Sequence, residues 1–103
     1  MLTLPIKKKW FDMILSGEKK EEYREMKPYY QSRLCSCSGF YKTDAVYAQS
    51  IKFVNGYGND KPYFIAYCTG KVGKGKVKWG AEKDKQYYVL TIEEITEKGN
   101  IKW

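Results

Sequence analysis

Three long segments rich in strand-forming residues dominate the second half of the chain. They are AVYAQSIKFV (residues 45–54), PYFIAYCTGKV (62–72) and QYYVLTIEEI (86–95). The strong turn signal NGYGND separates the first two, and the glycine- and lysine-rich connection GKGKVKWGAEKDK separates the last two. Strands at such short spacing, with little helix between them, favour a curled sheet or a small β-barrel.

The first third of the chain predicts a strand, a helix, a second strand and a short helix. LTLPI alternates weakly and suits a short strand, with Pro5 at an edge or a strand end. An amphipathic helix follows, because apolar residues recur at helical spacing at Trp10, Phe11, Ile14 and Leu15. Gly17 suits the left-handed residue that ends this helix, and EEYRE can continue as a strand. Pro28 suits the first turn of a second, short helix, and GNIKW could add a last strand.

Length and composition predict one folded domain of the α+β class, mainly β, over residues 1–103. A chain of 103 residues supports one modest core, and 43% apolar residues are too many for a disordered chain. No apolar run is long enough for a signal peptide or a membrane span, so we expect a cytoplasmic protein with no membrane partner. The oligomeric state is left open.

The charge and the cysteines limit the possible partners. The net charge of +7 suits a phosphate-bearing partner, but surplus lysines also simply confer solubility. The cysteines Cys35, Cys37 and Cys68 are odd in number and make a poor disulfide framework, so reduced thiols are expected. The chain has no histidine, which excludes Ser–His and Cys–His nucleophile pairs. No metal site and no cofactor are expected.

The charged segment GEKKEEYR (residues 17–24) is the main candidate for chemistry. Glu22 and Arg24 are two residues apart, so they share one face of a strand, and such a pair can present a hydrogen-bonding edge to a ligand. Lys19 could lean toward the same cavity, where reduced solvation would suit a base or a nucleophile. By charge pattern alone, the alternative of a surface helix stop with ion pairs is favoured.

The helix followed by GEKKEEYR resembles the ASCH domain family of the PUA-like superfamily. That family carries the pattern G-x-K-x-x-E-x-R just after its first helix, which Gly17, Lys19, Glu22 and Arg24 match here. Further segments resemble a small branch of the family that is often found in phages and bacteria: LPIKKKWFDMILSGEK, YREMKPYY, IKFVNGYG and WGAEK. Together they reach from residue 2 to about residue 90.

The resemblance implies a PUA-like small β-barrel with a cleft beside this segment, and RNA or a nucleotide as the ligand. Some ASCH proteins are amidohydrolases that remove the acetyl group from N4-acetylcytidine with a lysine, a threonine and a glutamate. Lys19 matches the lysine, Glu22 stands at the threonine position, and Glu82 in WGAEK is the candidate for the glutamate. An RNA- or modified-nucleotide-binding domain is the first hypothesis. An amidohydrolase is the alternative, and a protein-interaction module with a tyrosine-rich surface is the second alternative.

Other residues are candidates for ligand contacts. Asn55 could offer an amide and Tyr57 a stacking face from a loop over the cleft, or the two could belong to a simple tight turn. Trp79 could stack a base or plug the end of a barrel. If the ribbon around Gly75 is extended, alternate lysines share one face. Candidate phosphate contacts, which could equally protect an edge strand from aggregation, are Lys7, Lys8, Lys74, Lys76 and Lys78.

Overall fold

A computed structural model describes residues 2–30, 47–56, 58 and 60–101 of the chain. The elements in chain order are β1 (Leu2–Pro5), α1 (Lys8–Leu15), β2 (Glu21–Arg24), β3 (Tyr47–Val54), β4 (Tyr63–Lys74), a 3-10 helix (Val77–Trp79) and β5 (Gln86–Gly99). Residues 28–30 are also helical, as Pro28 predicts. The predictions for Tyr57, Cys35, Cys37 and the remainder of the second short helix lie outside the described residues.

The five strands form one mixed sheet in the order β1-β3-β4-β5-β2. β1 runs parallel to β3, and the other pairs are antiparallel. The pairing of β4 with β5 shifts register at two places, and such bulges increase the local twist and bend of a sheet. Among the described residues the sheet is not closed, with β1 and β2 as its outer strands. The predicted class, α+β and mainly β, is confirmed at this level.

The core lies between α1 and the inner face of the sheet. Phe11 and Ile14 of α1 are buried, as their helical spacing predicts. The ring of Phe11 lies 5.2 Å from that of Phe64 on β4, which in turn stacks on Phe53 of β3 at 5.0 Å. Inward residues alternate along β3 and β4 because successive side chains of a strand point to opposite faces.

The end of α1 sets the direction of the segment that follows. Gly17 has φ +86°, in the left-handed region where a side chain is disfavoured, and its N–H donates to Ile14 O at 3.1 Å. The N–H of Lys19 then donates to Met13 O at 3.0 Å. The chain therefore turns back under the helix, and the Lys19 side chain is carried into the interior rather than into solvent.

The five strands predicted before residue 96 are confirmed, with differences in extent. Pro5 ends the outer strand β1, and EEYR forms β2. β5 is longer than QYYVLTIEEI and continues to Gly99, because it pairs along the whole of the long β4. The predicted last strand GNIKW is not seen in its described part, since Asn100 bends at φ +55° and Ile101 lies outside any strand. In the part of the chain that the structure describes, no helix has both the length and the apolar character needed to span a bilayer.

Candidate functional site

A cleft of about 390 Å³ opens between α1, β2, the 3-10 helix and the start of β5. Its walls are largely aromatic, and the four rings that border it are Trp10, Tyr23, Trp79 and Tyr87. Glu22 lies at its floor, while Glu25, Glu82 and Lys85 form its rim and Lys7 borders one end. A cavity of this size that combines aromatic rings with charged groups can hold a small molecule or a nucleobase.

Glu22 is a buried carboxylate held between two cations. Only 7% of the residue is exposed. Its Oε1 lies 3.2 Å from Lys19 Nζ, and its Oε2 accepts a hydrogen bond of 2.7 Å from Arg24 Nη2. The three motif residues that the sequence predicts to converge therefore do so. Glu22 lines the cleft, while Lys19 and Arg24 contact it from behind. A carboxylate has about four acceptor positions, so Glu22 can still accept a hydrogen bond from a ligand.

Lys19 is almost completely buried, with 1% exposure. Its Nζ donates to the backbone oxygen of Glu21 and, at 3.0 Å, to that of Trp79, in addition to its ion pair with Glu22. An ammonium group has three N–H donors, and here three acceptors surround it. Lys19 therefore carries a fixed charge that orients Glu22 and ties β2 to the 3-10 helix.

The rings beside Lys19 add to this environment. Its Nζ lies 5.2 Å from the Trp10 ring and 4.9 Å from the Tyr23 ring, which is within the range of cation–π attraction. Burial lowers the pKa of Lys19 below its ordinary value, although the adjacent Glu22 carboxylate opposes that shift. A lysine pKa lowered by burial is a feature of many functional sites. Here, however, every N–H of Lys19 already has an acceptor within the protein, so these contacts are structural.

Arg24 links the two outer strands of the sheet. Its Nη2 donates to Pro5 O at 2.8 Å as well as to Glu22, so a side chain of β2 reaches the end of β1. Its Nη1 lies 3.4 Å from the hydroxyl of Tyr30, and the guanidinium lies 5.7 Å from the Tyr30 ring. The buried Nε has no hydrogen-bond partner among the described residues. No local pattern in the sequence indicates the contact with Pro5, because the two residues are far apart in the chain and meet only in the folded sheet.

The two tyrosines of the cleft form hydrogen bonds with the backbone on either side of the 3-10 helix. The Tyr23 hydroxyl donates to Glu21 Oε1 at 2.7 Å and accepts from the backbone N–H of Lys76 at 2.9 Å. Burial, with a further contribution from Glu21, raises the pKa of Tyr23 well above its ordinary value. The Tyr87 hydroxyl accepts from the backbone N–H of Glu82 at 3.0 Å. Sequence reasoning missed both tyrosines, although the abundance of tyrosine was a possible signal.

Trp79 is buried and also borders the cleft. Only 7% of it is exposed, and Lys76 Nζ and Lys78 Nζ lie 4.6 and 5.0 Å from its ring centroid. The following Gly80 has φ +102°, and a Cβ there would come within 3.0 Å of the Trp10 ring. The turn after Trp79 therefore requires glycine, both for its backbone conformation and for the close approach of Trp10. Trp10 is a cleft residue that the sequence assigned only to the core.

Two other predicted ligand contacts lie at the edge of the cleft or away from it. Glu82 is an exposed rim residue whose Oε2 lies 3.5 Å from Lys85 Nζ, so it is far less enclosed than Glu22. Asn55 does not border the cleft; it lines a second cavity, which it shares with Lys7. Its Nδ2 donates to Ile6 O at 3.1 Å. This amide therefore fixes the segment between β1 and α1.

The predicted row of lysines on one strand face is wrong. β4 ends at Lys74, whose Nζ lies 3.5 Å from Asp84 Oδ1. Lys76 follows the strand, and Lys78 belongs to the 3-10 helix, where both flank Trp79. The chain leaves the strand at Gly75, which packs so closely on Tyr23 and Ala81 that a Cβ would lie 2.7 Å from each. Of the N-terminal lysines, Lys7 borders the cleft, and Lys8 forms an ion pair of 2.6 Å with Asp12.

The candidate function rests on the cleft geometry. No protein-family profile, curated protein or solved structure matches the chain. Within the described residues, no group of three or more Cys, Asp or Glu side chains is placed to hold a metal ion. The chemistry available in the cleft is therefore stacking on aromatic rings, hydrogen bonding to Glu22, and charge from the lysines and glutamates that border it.

Proposed function

We propose that this chain is an ASCH-type, PUA-like domain that binds a nucleobase of single-stranded RNA in the cleft. The observation that carries this proposal is the buried Glu22 carboxylate, held in place by Lys19 and Arg24 at the floor of an aromatic-walled cavity. A flat heterocycle with an N–H group complements both parts of such a cavity. The cavity volume of about 390 Å³ lies within the usual range for small ligands.

Stacking and hydrogen bonding would make different contributions to recognition of the base. Base–aromatic stacking contributes about 1–3 kcal/mol per base, whichever base is bound. A hydrogen bond from a base N–H to Glu22 would add orientation, since bonds to charged groups are worth about 1.5–3 kcal/mol. Lys19 and Arg24 would act as positioning residues, because they fix the carboxylate without themselves lining the cleft.

The surface around the cleft supports a polyanionic ligand. Lys76 and Lys78 are exposed beside Trp79, and Lys7 is an exposed residue of the cleft lining. The chain as a whole carries a net charge of +7. Each RNA phosphate that these lysines neutralise releases counterions, so the affinity should fall as salt rises, with a slope of about −0.7 per phosphate.

Two features support the PUA-like part of the proposal. The matching residues Gly17, Lys19, Glu22 and Arg24 occupy a helix end and a strand, as the family resemblance implies. The side chain of Arg24 on β2 also donates to Pro5 O of β1, the opposite outer strand of the open sheet, and a curled sheet would favour such a contact.

The saturated environment of Lys19 favours binding over hydrolysis. A lysine that acts as a base or nucleophile must present a free lone pair to the substrate, whereas Lys19 Nζ faces two backbone oxygens and Glu22. Glu82, the candidate for the hydrolase glutamate, is an exposed rim residue. We therefore expect no release of cytidine when the protein is incubated with N4-acetylcytidine.

The proposal is tested by titrating a labelled single-stranded hexaribonucleotide of mixed sequence and following fluorescence anisotropy at low and moderate salt. Glu22→Gln should weaken binding about tenfold, which equals about 1.4 kcal/mol. Glu18→Gln is the matched control, because it makes the same charge change at a neighbouring exposed residue. Circular dichroism checks that each variant is folded, and quenching of tryptophan emission by RNA in the unaltered protein reports occupancy independently.

Two outcomes would contradict the proposal. One is an absence of measurable binding and of tryptophan quenching at either salt concentration. The other is an equal affinity of the folded Glu22→Gln and Glu18→Gln variants, which would show that RNA contacts the protein only through its net charge.

A further inference from the structure

Two more cavities continue the surface of the cleft. One, of about 390 Å³, is lined by Pro5, Ile6, Lys7, Asn55 and Gly56. The other, of about 470 Å³, includes Pro5 and Gly56 again, together with Thr3, Tyr29, Lys52 and Val54. Lys7 belongs to both the cleft and the first of these cavities. The three concave regions therefore adjoin one another through shared lining residues, and we name the two additional cavities together the β1–β3 groove.

The boundary between the cleft and the β1–β3 groove is a firmly held ridge, formed by Pro5, Ile6 and Lys7. Ile6 donates from its N–H to Val54 O at 2.8 Å and accepts from Asn55 Nδ2 at 3.1 Å. On the other side, Pro5 O accepts from Arg24. Both flanks of the ridge are thus hydrogen-bonded, so Lys7 projects from a fixed backbone between two concave surfaces.

The chemistry of the groove suits a nucleotide. Thr3 and Lys52 are direct neighbours in the parallel pairing of β1 with β3, and Lys52 Nζ lies 4.4 Å from the Tyr63 ring. Tyr29 offers an aromatic side chain that is 52% exposed. Gly56, which has no side chain, lines both cavities. Among the described residues that line the groove, none is acidic, in contrast to the rim of the cleft.

We propose that the RNA strand whose base enters the cleft continues over Lys7 into the β1–β3 groove, where its next nucleotides bind. This inference rests on the proposed function, and it specifies the ligand: an oligonucleotide rather than a free nucleoside. Lys7 contacts the phosphate at the ridge, Lys52 contacts a later phosphate, and Tyr29 stacks a base. Continuity with the cleft and the positive charge of the groove select the same strand as its occupant.

The test compares a labelled hexaribonucleotide with the four nucleoside monophosphates, which are measured by competition. We expect the hexanucleotide to bind at least tenfold more tightly than any monophosphate. Lys52→Ala should weaken hexanucleotide binding about three- to fivefold and reduce the salt slope by about 0.7, while leaving the affinity for monophosphates unchanged. Lys71→Ala is the matched control, since Lys71 is exposed on β4 and lies outside both the cleft and the groove.

A second variant, Thr3→Glu, places a negative charge on the exposed part of β1 and should weaken the hexanucleotide selectively. The inference is overturned if Lys52→Ala and Lys71→Ala have equal effects, or if the monophosphates bind as tightly as the hexanucleotide. These results differ from a failure of the proposed function, in which neither class of ligand binds. If only the hexanucleotide binds and Glu22→Gln has no effect, the result supports binding in the β1–β3 groove and contradicts binding of a base in the cleft.

Discussion

Replacing Lys19 by methionine should destabilise the fold strongly, although both side chains have a similar length. Lys19→Met removes the ammonium group that contacts the backbone oxygens of Glu21 and Trp79 and the carboxylate of Glu22. The apolar stem can still pack between the rings of Trp10 and Tyr23. The substitution therefore isolates the charge and its hydrogen bonds from the side-chain volume.

The expected loss of stability is about 3 kcal/mol. Removing one member of a buried ion pair costs about 3–5 kcal/mol, because the remaining charge is left without its partner. The lower end applies here, since Glu22 keeps its 2.7 Å contact with Arg24. A domain of this size has about 5–15 kcal/mol of stability in total, so the variant should fold but with a much reduced margin.

Urea unfolding followed by tryptophan emission measures this change. With a denaturant slope of about 1.5 kcal/mol per molar urea, a loss of about 3 kcal/mol lowers the midpoint by about 2 M. Lys20→Met is the control, because Lys20 is the exposed neighbour in the same turn, and it should change stability by less than about 0.5 kcal/mol. Equal midpoints for the two variants would refute the assignment of Lys19 as a buried structural charge.

The same pair of proteins gives a pH test with a defined sign. Burial lowers the pKa of Lys19 in the folded state, while the unfolded chain titrates near the ordinary value of 10.5. Between these two values the unfolded state binds a proton that the folded state has lost. Protonation of Lys19 therefore costs the folded state stability as the pH falls through the lowered pKa, and that cost is absent above pH 10.5. The stability difference between the unaltered protein and Lys19→Met should grow toward alkaline pH, by at most about 1.4 kcal/mol per pH unit. A difference that shrinks would contradict the lowered pKa.

Three further substitutions or probes follow from the geometry. Gly80→Ala should lower stability by about 1–3 kcal/mol and alter tryptophan emission, because the new Cβ meets the Trp10 ring from a left-handed backbone; an unchanged melting temperature would argue against that contact. Asn55→Ala should lower the free energy of unfolding by about 1 kcal/mol and speed hydrogen exchange of the Ile6 backbone amide, because the side-chain N–H that donates to Ile6 O is lost. Asn55→Asp also lacks this N–H, so normal exchange in that variant would contradict the role given to the side-chain amide. Burial raises the pKa of Cys68 to about 12, so a thiol reagent at pH 8 should label the Cys68 peptide only after unfolding.

The strands and the first helix could be predicted because their signals are local. Alternation and strand-forming residues identified β3, β4 and β5, and helical spacing with Gly17 identified the extent of α1. The lysine ribbon was predicted wrongly for a non-local reason. Gly75 lies against Tyr23, which precedes it by more than fifty residues, and the chain leaves the strand at this contact.

The candidate site was predicted in part. The spacing within GEKKEEYR is enough to bring Lys19, Glu22 and Arg24 together, since all three lie in one turn and the strand that follows it. The sequence could not show which of them faces the cleft. That depends on Trp79 O, which accepts from Lys19 across sixty positions of chain, and on Pro5 O, which accepts from Arg24.

By itself, the sequence determined the element types, the end of α1 and the convergence of three charged residues, because backbone preferences and short spacings act over a few positions. Only the tertiary structure decided that Glu22 is the motif residue that lines the cleft and that Lys19 is enclosed behind it. It also decided that Asn55 fixes a ridge instead of touching the cleft. The physical reason is that burial and hydrogen-bond saturation depend on backbone oxygens and aromatic rings from distant segments, which meet only when the sheet curves and the 3-10 helix packs against β2.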